Sequence, residues 1–160
     1  MRADRPASLE ALRRDRMHQL AGRAPDRAKA ARATLGQAHD FRRAAIGNLA
    51  EALVLPAISA LHESARLAVT ALAALDGYRF SNTVGAHEAV VDYALAIQLV
   101  DRRPYTQLDR LRELRHQVNH PEDLIAPTAR EVEQYSALVD TILTLAEKKL
   151  PTRRIPPPPR

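Results

Sequence analysis

The chain has 160 residues, enough for one domain with a real core, and a formal net charge of +5 with a pI of about 10.1. Hydrophobic residues make up 46% of it but aromatics only 4%, so the apolar mass is Ala, Leu and Val, which suits close-packed helices better than a β sandwich. The absence of Cys excludes disulfides and thiolate chemistry, and no apolar run approaches the ~20 residues of a membrane span. The first residues, with Arg2, Asp4 and Arg5, do not read as a signal peptide, so a cytoplasmic setting is expected. The basic balance fits attraction to nucleic acid but defines no partner by itself.

In chain order, Pro6 and Ser8 open a first helix, with Ser8 its N-cap and Leu9, Leu12, Met17 and Leu20 its thin apolar edge; Gly22 ends it. Ala24-Pro25-Asp26 is the next break. A helix then runs through Leu35, Ala38, Phe41, Ala45 and Ile46, and Gly47-Asn48 stops or bends it. From Leu49 the pattern is helical again as far as Leu75, and Pro56 predicts a kink or a restart just before it. Gly77 is the expected left-handed residue after that helix. Ser81 to Thr83 form a polar connector before a helix from about Val84 to Leu99. Another runs from about Tyr105 to Asn119. Pro121 and Pro127 bracket a loop, and Thr128 and Glu131 have the spacing of a capping box before the last helix, Val132 to Leu145. No strand-like alternation is present. The short connections place successive helices side by side and antiparallel. The expected architecture is all-α: an antiparallel bundle of four main helices, residues 26–150. An accessory N-terminal helix, residues 1–25, and a disordered Pro-rich tail, residues 151–160, flank it.

Chemistry-bearing residues crowd into Leu111 to His120, Leu-Arg-Glu-Leu-Arg-His-Gln-Val-Asn-His. With Leu108, Leu111, Leu114 and Val118 as the buried stripe, Arg115 projects within it, where a guanidinium must snorkel, pair or face an anion. His116 and His120, four apart, share another face. Pro121 disfavours helix at the residue before it, so the helix should end at His120. Three readings compete. One is an amphipathic helix whose Arg and His are simply solvated. The second is a metal site on His116 and His120, but the zinc-hydrolase pattern wants Glu where Gln117 stands, and no third ligand is evident. The third is a phosphate-handling site, a guanidinium for the phosphate and a His for proton transfer. Elsewhere, Glu63 and Arg66 read as a local pair beside His62, and Glu88 as a first-turn acid after His87. The functional version is that Glu63, Glu88 or Asp92 orients Arg115 or His120.

The segment Leu114-Arg115-His116-Gln117-Val118-Asn119-His120 resembles the motif of the HEPN domain family: Arg, a polar residue, three more residues, then His, near the end of a late helix. Leu61 to Tyr78, Ala-rich and ending Leu-Asp-Gly-Tyr, is similar to the second helix of that family. The resemblance covers about Asp26 to Leu150. It implies a small helical bundle that dimerises about the motif helices, and for many members a metal-independent ribonuclease, including toxins of toxin–antitoxin pairs. Other members are non-catalytic modules that bind a partner protein or nucleotide. A branch paired with small nucleotidyltransferases carries Tyr two residues after the His; here that position is Glu122. On this reading the partners are RNA, a second copy of the chain, and an antitoxin or nucleotidyltransferase, with no cofactor and no metal. Arg115 would hold the scissile phosphate, His120 would move the proton, and His116 or Asn119 would orient phosphate or imidazole. Arg110 and Arg112 would add attraction along the same helix. Leu108, Leu111 and Val118 would form the dimer seam.

Overall fold

The computed structural model describes residues 6–151. Six helices dominate them: α1 Leu9–Asp15, α2 Ala24–Ala50, α3 Val54–Leu75, α4 Ala86–Ala96, α5 Arg102–Val118 and α6 Ala129–Lys149. The expected helical bundle is therefore observed. The Pro-rich tail lies outside the described residues apart from Pro151.

Helix α3 is the hub. Its Ala-rich sequence presents small side chains on several faces, so α2, α4, α5 and α6 all pack against it. Ile58, Leu61, Ala65, Val69 and Ala73 are fully buried along it. Ser64, also fully buried, satisfies its hydroxyl by donating to the Ala38 carbonyl of α2 at 2.8 Å. This crosslink fixes the register of the α2–α3 hairpin, because a buried hydroxyl without a partner costs about 1–3 kcal/mol.

Local chemistry sets the helix ends. Ser8 caps α1 by accepting from the Ala11 N–H. Helix α2 passes straight through Gly47 and stops at Ala50; α3 restarts at Val54, placing Pro56 in its first turn, where the missing N–H is harmless. Thr128 and Glu131 form the capping box reciprocally, a device whose loss costs about 1 kcal/mol.

The region before α2 departs from the all-helical expectation. Helix α1 ends at Asp15, and Met17–Gln19 form a strand, β1, antiparallel to a second strand, β2, Tyr78–Phe80. The helical spacing of Leu9, Leu12, Met17 and Leu20 arises from two elements. Leu12 faces inward from the helix and Met17 from the strand, and both join the core shared by the whole chain. Strand β2 comes directly after Gly77, whose φ of +88° turns the chain out of α3.

This small sheet positions the connector between β2 and α4. The Ser81 N–H donates to the Arg16 carbonyl at 2.8 Å, and Arg16 Nη1 donates to the Val84 carbonyl at 3.1 Å. Gly85, with φ of +84°, then starts α4, and a Cβ there would come within 3.3 Å of Arg16 Nη1. Arg16 thus brackets both ends of the connector that carries the chain to His87. Asp92 of α4 is buried and accepts from the Ala7 N–H and the Tyr105 hydroxyl, joining the N-terminal segment, α4 and α5. Tyr93 donates to Asp76, and burial raises its pKa further from the neutral range.

Candidate functional site: a cleft between the connector and α5

Helix α5 divides its residues between core and surface. Leu108, Leu111 and Leu114 are 3%, 0% and 5% exposed, packed inside their own chain. They are therefore not available as a seam for a second copy, which corrects the expected use of that stripe; Val118 is only half-buried against the core. The next face carries Arg112, Arg115 and His116, related by the i, i+3 and i, i+4 spacing of neighbours on a helix.

Opposite that face lie the connector and the first turn of α4. Together they enclose a cleft of about 480 Å³ whose lining includes Val84, His87, Glu88, Arg112, Arg115 and His116. Arg115 is half-buried. Among the described residues no carboxylate forms an ion pair or hydrogen bond with it. Two of the three expected carboxylate partners are committed elsewhere, and the third, Glu88, lines the same cleft. Glu63 accepts two bonds from Arg66 through Oε2, at 2.8 and 3.0 Å, and Asp92 holds Ala7 and Tyr105.

The remaining motif residues divide by their place at the end of α5. The helix closes at Val118, two residues before the expected end at His120. The Asn119 N–H donates to the His116 carbonyl and the His120 N–H to the Gln117 carbonyl, bonds that tighten the last turn. Asn119 is the exposed C-cap. His120 leaves the helical conformation before Pro121, with φ −132° and ψ 72°. Its ring lies 4.8 Å from that of His116, tilted by 49°, and its side chain is 53% exposed, with Glu122 3.8 Å from Nδ1. His120 therefore stands at the rim, through His116, rather than in the cleft wall.

The two flanking arginines are not equivalent. Arg112 lines the cleft, but Asp109 accepts its Nε–H at 2.8 Å, so part of its charge is already answered. Arg110 points to another side of α5, 3.8 Å from Glu131 and beside Glu113, Gln117 and Ile125. The structure brings Arg112, Arg115, His116 and His120 together and leaves Arg110 apart.

Behind the cleft wall is a group that sequence spacing did not assemble. His62 of α3 stacks on His87 of α4, with centroids 5.2 Å apart and planes within 5°. Burial is the main cause that lowers both imidazole pKa values. Arg115 and Arg66 push them the same way, and the Glu63 carboxylate opposes. Glu63 itself is held down to about 2, first by the His62 imidazole beside it, with the Arg66 guanidinium adding to the effect. The available signal was a His-Glu pair in the middle of an otherwise apolar Ala-rich helix; its partner lies 25 residues on, across the connector.

No protein-family model, characterised protein or solved structure matches the chain. Function is accordingly read from the cleft itself. Among the described residues no helix is long and apolar enough to cross a membrane.

Proposed function

We propose that the cleft binds the phosphodiester backbone of RNA and that the chain is a HEPN-like, metal-independent endoribonuclease, of the kind that acts as a cytoplasmic toxin or defence effector. One observation supports this above the others: Arg115 projects into a concave site, half-buried and without a carboxylate partner among the described residues, with His87 and His116 lining the same site and His120 beside His116. A guanidinium left unanswered in such a place is suited to an anion, and its planar fork suits phosphate.

The groups at hand define the chemistry. The ribose 2′-hydroxyl loses its proton to an imidazole and attacks the adjacent phosphorus; the bond from phosphorus to the 5′-oxygen breaks, and that oxygen gains a proton. The products are a 2′,3′-cyclic phosphate and a 5′-hydroxyl. His120 at the rim moves the proton. Arg115 holds the non-bridging oxygens and stabilises the charge that builds on them. His116 and Asn119 orient the phosphate. Arg112 contributes attraction, reduced by Asp109.

Two copies meeting across this face would double each group around one groove. With the leucine stripe buried, the contact would use exposed apolar residues near the cleft. Val84, 96% exposed, is the foremost. The test is cleavage of RNA by the purified chain in EDTA, with the product ends identified, wild type beside His120→Ala. A folded His120→Ala variant as fast as wild type would sink the assignment. A chain that cleaves no RNA, yet binds a partner protein or nucleotide through Arg115, would transfer the case to a non-catalytic binding module.

A further inference from the structure

The stacked imidazoles of His62 and His87 have chemistry of their own. His62 is only 3% exposed, and its Nδ1 has no hydrogen-bond partner. That nitrogen lies 3.4 Å from Glu63 Oε1, close but without hydrogen-bond geometry. One nitrogen from each imidazole and one oxygen of Glu63 all fall within 4.8 Å of one another. The two Glu63 oxygens have separate duties, since Arg66 takes Oε2 and Oε1 is left facing His62.

These distances have a simple reading. Two donors on one tetrahedral ion with bonds of about 2.0–2.1 Å stand roughly 3.3–3.4 Å apart. The His62–Glu63 pair already has that separation. His87 is the adjustable member, exposed in the first turn of α4 and able to close on the pair by moving its side chain.

We propose that His62, Glu63 and His87 bind one divalent transition-metal ion of the zinc class, which clamps α3 to α4 and keeps a fourth position open toward the cleft. Two nitrogens and a carboxylate oxygen are a donor set that zinc accepts, and metal binding requires neutral imidazoles and an ionised carboxylate. Burial and the neighbouring arginines favour the neutral imidazoles, and the adjacent His62 ring together with the Arg66 bonds favours the Glu63 anion. Arg66 and Arg115 add positive charge near the ion, so the fourth ligand should be an anion such as hydroxide or phosphate. This site uses none of His116, Asn119 or His120, and stands whether or not the cleft cleaves RNA.

The test uses the full chain stripped with EDTA, titrated with cobalt(II) alone and monitored by its visible ligand-field bands, then with zinc(II) in competition. Expected is one equivalent of cobalt per chain, displaced by zinc. Affinity should fall by at least about 10-fold in His87→Asn and in His62→Asn, and stay unchanged in His120→Asn. His87→Asn is the deciding variant because its exposed position permits folding, to be verified by helical circular dichroism; inorganic phosphate should raise the wild-type affinity for zinc. Absence of any cobalt band at stoichiometric metal would overturn the proposal. So would binding that survives in folded His87→Asn, or binding lost in His120→Asn, which would move the ion to the His116–His120 pair.

Discussion

The molecule holds two close pairs of imidazoles near one arginine, and they differ in almost everything but composition. His62 and His87 are stacked nearly parallel between two helices; His116 and His120 are tilted by 49° at the end of one helix. His62 is 3% exposed, whereas the His120 side chain is 53% exposed. Solvation sets His62 apart, since His87, His116 and His120 are all exposed. A buried imidazole held neutral is a ligand or a packing group, because taking up a proton there is penalised. An exposed one can exchange protons with water and substrate on each turnover. On the proposed function catalytic work falls to the outer pair, and the proposed cation to the inner, where His62 is buried.

The strongest way to break this division is through RNA cleavage. His120→Ala should slow single-turnover cleavage by roughly 10²–10⁴-fold with RNA affinity little changed. If His87→Asn gave that loss and His120→Ala did not, the roles of the pairs would be reversed.

Arg115 touches both halves of the comparison, since it lines the cleft and also disfavours protonation of the inner pair. Arg115→Ala should lower cleavage by about 10²–10³-fold and weaken RNA binding, with Arg115→Lys recovering only part of the rate. Equal rates in the Lys variant and wild type would show that bidentate geometry is not used.

Acid should separate the pairs by stability. The folded pKa values of His62 and His87 lie below the ordinary 6.5, so below that pH the unfolded chain binds protons first. Stability is thus full above about pH 6.5 and is lost as pH falls from there toward the depressed folded values. A second loss sets in from 4.5 down to about 2 as Glu63 protonates. Melting midpoints measured against pH should fall in both windows, and His62→Asn should flatten the upper one. A wild-type midpoint that does not move between about pH 7 and 5.5 would contradict the burial argument.

The smallest effect belongs to Arg112. Because Asp109 shares its charge, Arg112→Ala should reduce the salt slope of RNA binding by less than the ~0.9 expected for one full phosphate contact. A full-unit change would mean that the Asp109 pair opens when RNA binds.

Most helix ends were legible because they depend on neighbours in sequence: Ser8, Gly77 and the Thr128–Glu131 box each act within a few residues. The β1–β2 pairing was not. Three residues per strand give no periodicity to read, and Met17 meets Phe80 only through the fold. The leucine stripe of α5 was legible as apolar, but an apolar stripe does not state whether it meets its own chain or another; here it meets its own. The motif residues were visible as a cluster. Its division into cleft wall, rim and far side came from the opposing connector, whose path is set by Arg16. The His62–His87 pair was hidden for the same reason, since only the packing of α4 on α3 brings residues 25 apart into contact.

The pairing of Met17 with Phe80 also has a consequence in time. A ribosome adds about 5–20 residues per second, so the partner of β1 is made several seconds after β1 itself. Until then Leu12 and Met17 have no groove to enter, and Arg16 has no connector to bracket. The α2–α3 hairpin can form during that interval from local contacts alone. The cleft cannot, because its outer wall waits on the segment of α1 and β1 to fold back onto a part of the chain made later. A nascent chain would therefore carry a packed hub before it carried any site at all.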